Sequence, residues 1–297
     1  MYAVATQSLT KRYGRCTALR ELSLQVPAGR LFCFLGPNGA GKTTTLRILL
    51  GLLRATAGRA EVLERDAWRD GPVVRRQIGY LPGDVRFYDW LTGRATLEFA
   101  NAAHGGACRP EIERLVRLLD LDLDRRVRDY SRGMKQKLGV IAALMHRPRL
   151  LVLDEPTTSL DPLVRQALYA ELRAVVSEGR TVLFSSHTLA EVEELCDEVA
   201  ILRDGRLIEQ ERMDVLRTRA VRHVELRFHT AAAAMAKPPD GFCVLQQAPA
   251  YVRGTWTGPV APLLAWLGQA GLADVTIAPP DLDDLFLAYY GEREARP

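Results

Sequence analysis

Eight consecutive residues, Gly36, Pro37, Asn38, Gly39, Ala40, Gly41, Lys42 and Thr43, fit the spacing GxxxxGK[ST]. The chemistry of that spacing is phosphate binding. Glycines let successive backbone N–H groups turn toward phosphate oxygens. The helix that such a loop opens adds partial positive charge at its N-terminus. Lys42 is placed to reach the β- and γ-phosphates, and Thr43 to offer its hydroxyl to Mg²⁺. Thr44 extends the predicted nucleotide contact by one residue. A second group, Asp154 and Glu155, lies 112 residues beyond Lys42, after the apolar run Leu150, Leu151, Val152, Leu153. A strand ending in paired carboxylates puts them at the carboxyl edge of a sheet, where open α/β folds bind ligands. The first acid suits Mg²⁺. The second can orient or deprotonate an attacking water.

Such groups need buried strands behind them. Leu31 to Leu35 and Leu150 to Leu153 read as such strands, and Val182 to Phe184 as a third. A helix is predicted from Thr43 to Leu53, with Leu46, Leu49, Leu50 and Leu53 on one face. Another runs from Pro162 to Glu178. Strand, helix, strand with buried strands implies a parallel sheet covered by helices. Val4 to Leu9 and Leu22 to Val26 read as strands ahead of the loop, the latter closed by Pro27, Ala28 and Gly29. Asp84 to Asp129 reads as mostly helical, broken at Gly105, Gly106 and Pro110. The pattern changes near residue 216. Val224 to Phe228 alternates as a half-buried strand does, and Phe242 to Leu245 and Val275 to Ile277 read as strands. Ala261 to Leu267 and Leu282 to Tyr290 read as helices, with Ala231 to Ala234 and Pro238, Pro239 in connections. Residues 216–297 are therefore expected to form a small α+β domain after a larger domain of residues 1–215.

Composition agrees with two ordinary globular domains: 297 residues, 47% hydrophobic and 26% charged. No apolar run approaches the roughly 18 residues of a membrane span, so the chain is not expected to cross a bilayer. Met1 to Thr10 lacks the basic start and apolar run of a signal peptide. Five cysteines with no CxxC spacing fit reduced thiols in a cytosolic protein rather than zinc or disulfides. The net charge is +4, and residues 221–297 hold six Lys and Arg against eight Asp and Glu. The excess of positive charge thus belongs to the larger domain. It contains no run of five like charges, so it reads as a solvated Arg-rich surface, and no nucleic-acid partner is expected.

Taken in order, these motifs resemble the ATP-binding subunits of ABC transporters, over residues 1 to about 212. The resemblance implies an α/β fold: a P-loop NTPase cassette with a RecA-like parallel sheet core, an antiparallel β subdomain and a helical subdomain of about residues 84–146. It places Tyr13 against adenine. Tyr130, Ser131, Arg132, Gly133, Met134, Lys135 and Gln136 resemble a diverged signature, 23 residues from Ser131 to Asp154. It implies that Ser131, Gly133 and Met134 meet the nucleotide of a second subunit, a homodimer partner or a homologue. Ser159, Leu160 and Asp161 look like the loop that couples the two sites, and His187 like the switch histidine at the γ-phosphate. Catalysis is then expected from Glu155, His187 and Lys42, with ATP as nucleotide and Mg²⁺ held by Thr43 and Asp154.

Two departures stand out. Gly83 occupies the position where the family carries a glutamine, with Asp84 beside it as a candidate metal contact. The signature has Tyr130 for Leu, Arg132 for Gly and Met134 for Gln. Leu282 to Ala288 resembles the closing helix of C-terminal domains in exporter-type subunits with a separate permease. The implied location is the cytoplasmic face of the membrane, with Phe87, Tyr88 and Trp90, in the segment from Asp84 to Leu97, as candidate contacts to an integral-membrane permease. Soluble translation-type relatives usually carry two cassettes, whereas one phosphate loop is present here. Repair-type relatives need a coiled coil, and the interval before Asp154 holds no sustained heptads. Glu155 and His187 argue against a regulator that binds ATP without hydrolysis. An importer ATPase shares all the nucleotide residues and stays open.

Overall fold

Strand β3 (Leu31–Leu35) is buried at all five positions, as are β7 (Leu150–Asp154) and all six residues of β8 (Thr181–Ser186). Continuous apolar runs of this kind fit only a sheet covered on both faces. A computed structural model describes residues 1–230 and 238–282. It divides into two compact units, Met1–Gln210 and Glu211–Pro297.

In the first unit, β3, β7 and β8 join β6 (Ile78–Leu81), β9 (Glu198–Arg203) and β10 (Arg206–Arg212) in the order β10-β9-β3-β8-β7-β6. The pairs from β9 through β6 are parallel. A second, antiparallel sheet has the order β2-β1-β4-β5, built from β1 (Tyr2–Tyr13), β2 (Cys16–Pro27), β4 (Ala57–Val62) and β5 (Arg65–Asp66). Helix α1 (Lys42–Leu49) shares one core with both sheets: Leu46 and Leu49 pack with Phe32, Phe34 and Val152, and with Val4, Leu22 and Val62. Each such side chain contributes about 1.5–3 kcal/mol when fully removed from water. A short α2 (Gly71–Arg75) precedes β6. The stretch expected to be mostly helical over 84–129 starts with irregular residues 84–91 and continues as α3 (Gly93–Ala103) and α4 (Arg109–Leu119), parted at Gly105 and Gly106. Thr92 caps α3 by accepting from Ala95 N at 3.1 Å, which fixes the start of that helix after the loop.

Helix α5 (Arg132–Leu144) packs beside β6, and α6 (Pro162–Ser177) beside β3 and β8. Two devices tie α3 and α4 to this layer. Arg114 of α4 bonds Glu111 at 2.6 Å and reaches Glu171 of α6 at 2.8 Å; Glu171 is buried, so its carboxylate requires this partner. His104, at the end of α3, stacks on His146 with ring centroids 3.9 Å apart. His146 Nε2 lies 3.2 Å from the Ile78 carbonyl. The unit's last helix, α7 (Leu189–Leu195), follows β8.

The second unit is an antiparallel sheet in the order β12-β13-β11-β14, formed by β11 (Val221–Phe228), β12 (Phe242–Ala248), β13 (Tyr251–Trp256) and β14 (Leu272–Asp281). Alternate residues Val224, Leu226 and Phe228 join Val252, Trp256, Leu263 and Leu267 in its core. Its helices among the described residues are α8 (Met213–Arg219) and α9 (Val260–Leu267). The Ala231 to Ala234 connection and the expected closing helix after Leu282 lie outside the described residues.

Burial is the largest influence on His146, and it lowers the pKa to about 4; the neighbouring His104 ring acts in the same direction. The unfolded chain titrates near 6.5. Between these values the unfolded state binds the extra proton, so stability falls as pH drops from about 6.5 toward about 4. Urea unfolding of the full chain at pH 7.5 and pH 5 should therefore show a larger acid loss for the wild type than for His146→Phe. Equal losses would mean that the stack carries no such linkage.

Candidate functional site

The loop after β3 closes on itself around Lys42. Gly41, which precedes α1, has φ +102°, and a Cβ there would stand 2.6 Å from Leu19 Cδ2 and 2.9 Å from the Ala18 carbonyl. Only glycine meets both the conformation and the contact. Lys42 is 5% exposed, and its Nζ donates to the carbonyls of Gly36 at 2.6 Å and Pro37 at 3.1 Å. Burial lowers its pKa, while the carboxylates of Glu155 and Asp154 oppose the shift by favouring the ammonium. Ala40 N donates to the Pro37 carbonyl at 3.1 Å and closes the turn of Asn38 and Gly39, with Asn38 exposed at its tip, and Thr44 is half-buried on α1.

Asp154 ends β7 and is 3% exposed. A buried carboxylate must be hydrogen-bonded. Thr43 Oγ1 donates to its Oδ2 at 2.8 Å and Ser185 Oγ to its Oδ1 at 2.6 Å. Ser185 Oγ also accepts from Glu155 N at 3.0 Å, so one hydroxyl places both acidic residues. Glu155 has φ +50°, a left-handed conformation that costs a non-glycine residue about 1 kcal/mol or more. Its Oε1 lies 3.3 Å from His187 Nδ1, with the two side chains 27% and 53% exposed. Gln136 of α5, itself buried, donates to the carbonyls of Glu155 at 3.3 Å and Pro156 at 3.0 Å.

The fold thus brings together Lys42, Thr43, Asp154, Glu155 and His187. Ser131, Gly133 and Met134 open α5 elsewhere. Ser131 caps that helix by accepting from Met134 N at 3.2 Å, and Met134 Sδ lies 4.0 Å from Arg125. A Cβ on Gly133 would meet the Ser159 carbonyl at 2.6 Å, so the signature packs directly against the segment leading to Asp161. Asp161 caps α6 by accepting from Val164 N at 3.0 Å. Tyr13 ends β1 half-exposed, with Lys11 Nζ 5.0 Å from its ring centroid. Gln136 lies within the signature run and Ser185 just before His187, yet neither motif assigns them a role. Ser185 carried one legible signal: it ends an apolar run, as Asp154 does.

The oxygen set of Thr43 and Asp154 suits a hard cation that keeps phosphate and water ligands, as Mg²⁺ does. Among the described residues no cluster of three or more His, Cys, Asp or Glu offers an all-protein metal cage.

The family model described as ABC transporter matches residues 19–158. The daunorubicin resistance ATP-binding protein DrrA3 of Streptomyces coeruleorubidus is 36% identical, over 98% of this chain and 96% of its own. The bacitracin transport ATP-binding protein BcrA of Enterococcus faecalis is 34% identical, over 75% and 74%. The chain belongs to the ABC transporter ATP-binding family. A solved ATP-binding subunit of an ABC transporter superposes with TM-score 0.67 at 32% identity, covering 72% of this chain and 92% of that one. A dimeric cassette bound to ADP and Pi in a post-hydrolysis state shares the fold, with TM-score 0.66 at 21% identity over 71% and 98%. The enzyme is an ABC ATPase.

One of the departures, Tyr130, has a local physical reason in this ATPase. Tyr130 is buried, and its hydroxyl donates to the Asp122 carbonyl at 2.5 Å, packed over Gly93 where a Cβ would stand 2.1 Å from that hydroxyl. A leucine could not make this bond. At Gly83 a Cβ would stand 3.4 Å from Asp154 Oδ2, so this position faces the Asp154 carboxylate. Asp84, the candidate stand-in, pairs with Arg86 at 2.6 Å, with 73% of its side chain exposed. Asp84→Ala should leave the Mg²⁺ dependence of ATP hydrolysis within about a factor of two, the size of an ordinary surface substitution. A raised Mg²⁺ requirement would return Asp84 to the site.

Proposed function

We propose that this ATPase powers export of a drug- or antibiotic-like molecule through a separate integral-membrane permease, from the cytoplasmic face. The observation that carries the reading is the extent of similarity to the daunorubicin resistance protein, which covers 98% of this chain and so includes the second unit. The relatives named for bacitracin transport support the same class. No helix among the described residues is long and apolar enough to cross a membrane, so the path for substrate would come from the partner. Tyr88 and Trp90 are 54% and 69% exposed, with ring centroids 4.8 Å apart, on the irregular segment after Gly83. Exposed aromatics side by side suit a protein contact, and we assign the permease to this segment, with half-buried Phe87 beneath it.

Two cassettes close head to tail on two ATP molecules. Lys42 grips the phosphates, and Tyr13 supports the adenine. Thr43 and Asp154 hold Mg²⁺, which when bound neutralises charge on the β- and γ-phosphate oxygens. Glu155 accepts a proton from the attacking water, and His187 holds its carboxylate in place from 3.3 Å. Ser131 and Gly133 of the second cassette face the γ-phosphate across the closed interface. Asp161 joins the two sites. Hydrolysis and phosphate release reopen the pair and move the permease.

Glu155→Gln keeps shape but loses the base. Its turnover should fall by at least about a hundredfold, while ATP still binds. Transport is tested by co-expressing the chain with its co-purifying permease and measuring drug efflux from loaded vesicles. Efflux that needs ATP and is lost with Glu155→Gln supports export. ATP-driven uptake in place of efflux would contradict it.

A further inference from the structure

Glu191 belongs to none of the motifs above, yet its carboxylate ties two of them together. It sits half-buried on α7, four residues after the switch histidine. Ser186 Oγ donates to its Oε2 at 2.6 Å, and Thr157 Oγ1 donates to its Oε1. Both bonds run from a hydroxyl to an ionisable carboxylate, the shorter and stronger class of hydrogen bond.

Each hydroxyl anchors a different functional segment. Ser186 is 1% exposed and directly precedes His187; its Oγ also accepts from Thr188 N at 2.9 Å, which pins the turn that carries the histidine. Thr157 lies two residues beyond Glu155. Its carbonyl accepts from Leu160 N at 3.1 Å and closes the turn containing Ser159, whose φ is +69°. The Ser159 carbonyl is the atom that packs against Gly133. A continuous path of contacts therefore runs from His187 through Ser186, Glu191 and Thr157 to Ser159 and Gly133. Glu191 is its one charged member, and each of its oxygens serves one side.

We infer that Glu191 is a positioning residue that couples His187 to the segment around Ser159 through its two hydroxyl contacts, so that the two move as one. It acts through its neighbours, holding the imidazole where it meets Glu155. This rests on the reading of Glu155 and His187 as hydrolytic residues. Displacing a catalytic group by about 1 Å can cost on the order of a hundredfold in rate.

The test uses the full chain and ATP, with kcat, KM and the melting temperature measured for each variant. Glu191→Ala should lower kcat by about tenfold or more and leave the KM for ATP within about twofold. Thr157→Val cuts only the far arm, and should lower kcat similarly. The double variant should be no slower than the slower single, because both changes open one path. In a His187→Ala background, Glu191→Ala should add nothing. Glu191→Gln keeps the volume and one acceptor, and should fall between the wild type and Glu191→Ala; if the alanine variant does not fold, this variant and Thr157→Val carry the test. Wild-type kcat in Glu191→Gln and Thr157→Val overturns the inference. So do losses that multiply in the double variant, or a further loss in the His187→Ala background. A wild-type chain that hydrolyses no ATP contradicts the reading of Glu155 and His187 instead, and is distinguishable from any of these.

Discussion

The structure of this site depends on one buried carboxylate. Asp154 is 3% exposed at the end of a strand, where its carboxylate is withdrawn from bulk solvent. Left unpaired, such a group would be strongly destabilising. Thr43 and Ser185 satisfy one oxygen each, at 2.8 and 2.6 Å. Those bonds exist only because the sheet order places β3, β8 and β7 side by side, with Asp154 in register with Ser185. The phosphate loop leaves the first of these strands, the switch histidine follows the second, and the two acids end the third. Satisfying one carboxylate therefore assembles three motifs from distant parts of the chain.

The rest of the cassette holds that edge in place. The core shared by α1 and the two sheets fixes the loop that carries Lys42 and Thr43. Arg114 and the stacked histidines tie α3 and α4 to the layer behind the parallel sheet. Gln136 of α5 bonds the backbone just after Asp154. The helix that presents the signature is thus fastened to the same strand end as Glu155. Tyr130 adds a further anchor below it, which gives the diverged signature a structural purpose.

What was legible in the sequence was local. The phosphate loop announces itself because its glycines, lysine and threonine do their work within eight neighbouring residues. The buried strands were legible because both faces are covered. Ser185 and Gln136 were not, because their roles arise from partners 31 and 20 residues away that only the fold brings near. The antiparallel strands run longer than their apolar runs, since β1 and β2 alternate and carry register shifts. Strand β13 escaped notice because Gly254 interrupts the apolar pattern between Val252 and Trp256, although it lies buried in the pairing with β11. Asp84 is a similar case: Arg86, two residues on, engages it in solvent, a pairing that its position beside Gly83 does not announce.

The central claim is that Ser185 organises both acids through one hydroxyl. Single-turnover hydrolysis of bound ATP by Ser185→Ala measures it most directly, since binding and release do not enter the rate. The account predicts that ATP binds with little change while the hydrolytic step slows by about tenfold or more. A wild-type single-turnover rate in Ser185→Ala would contradict it.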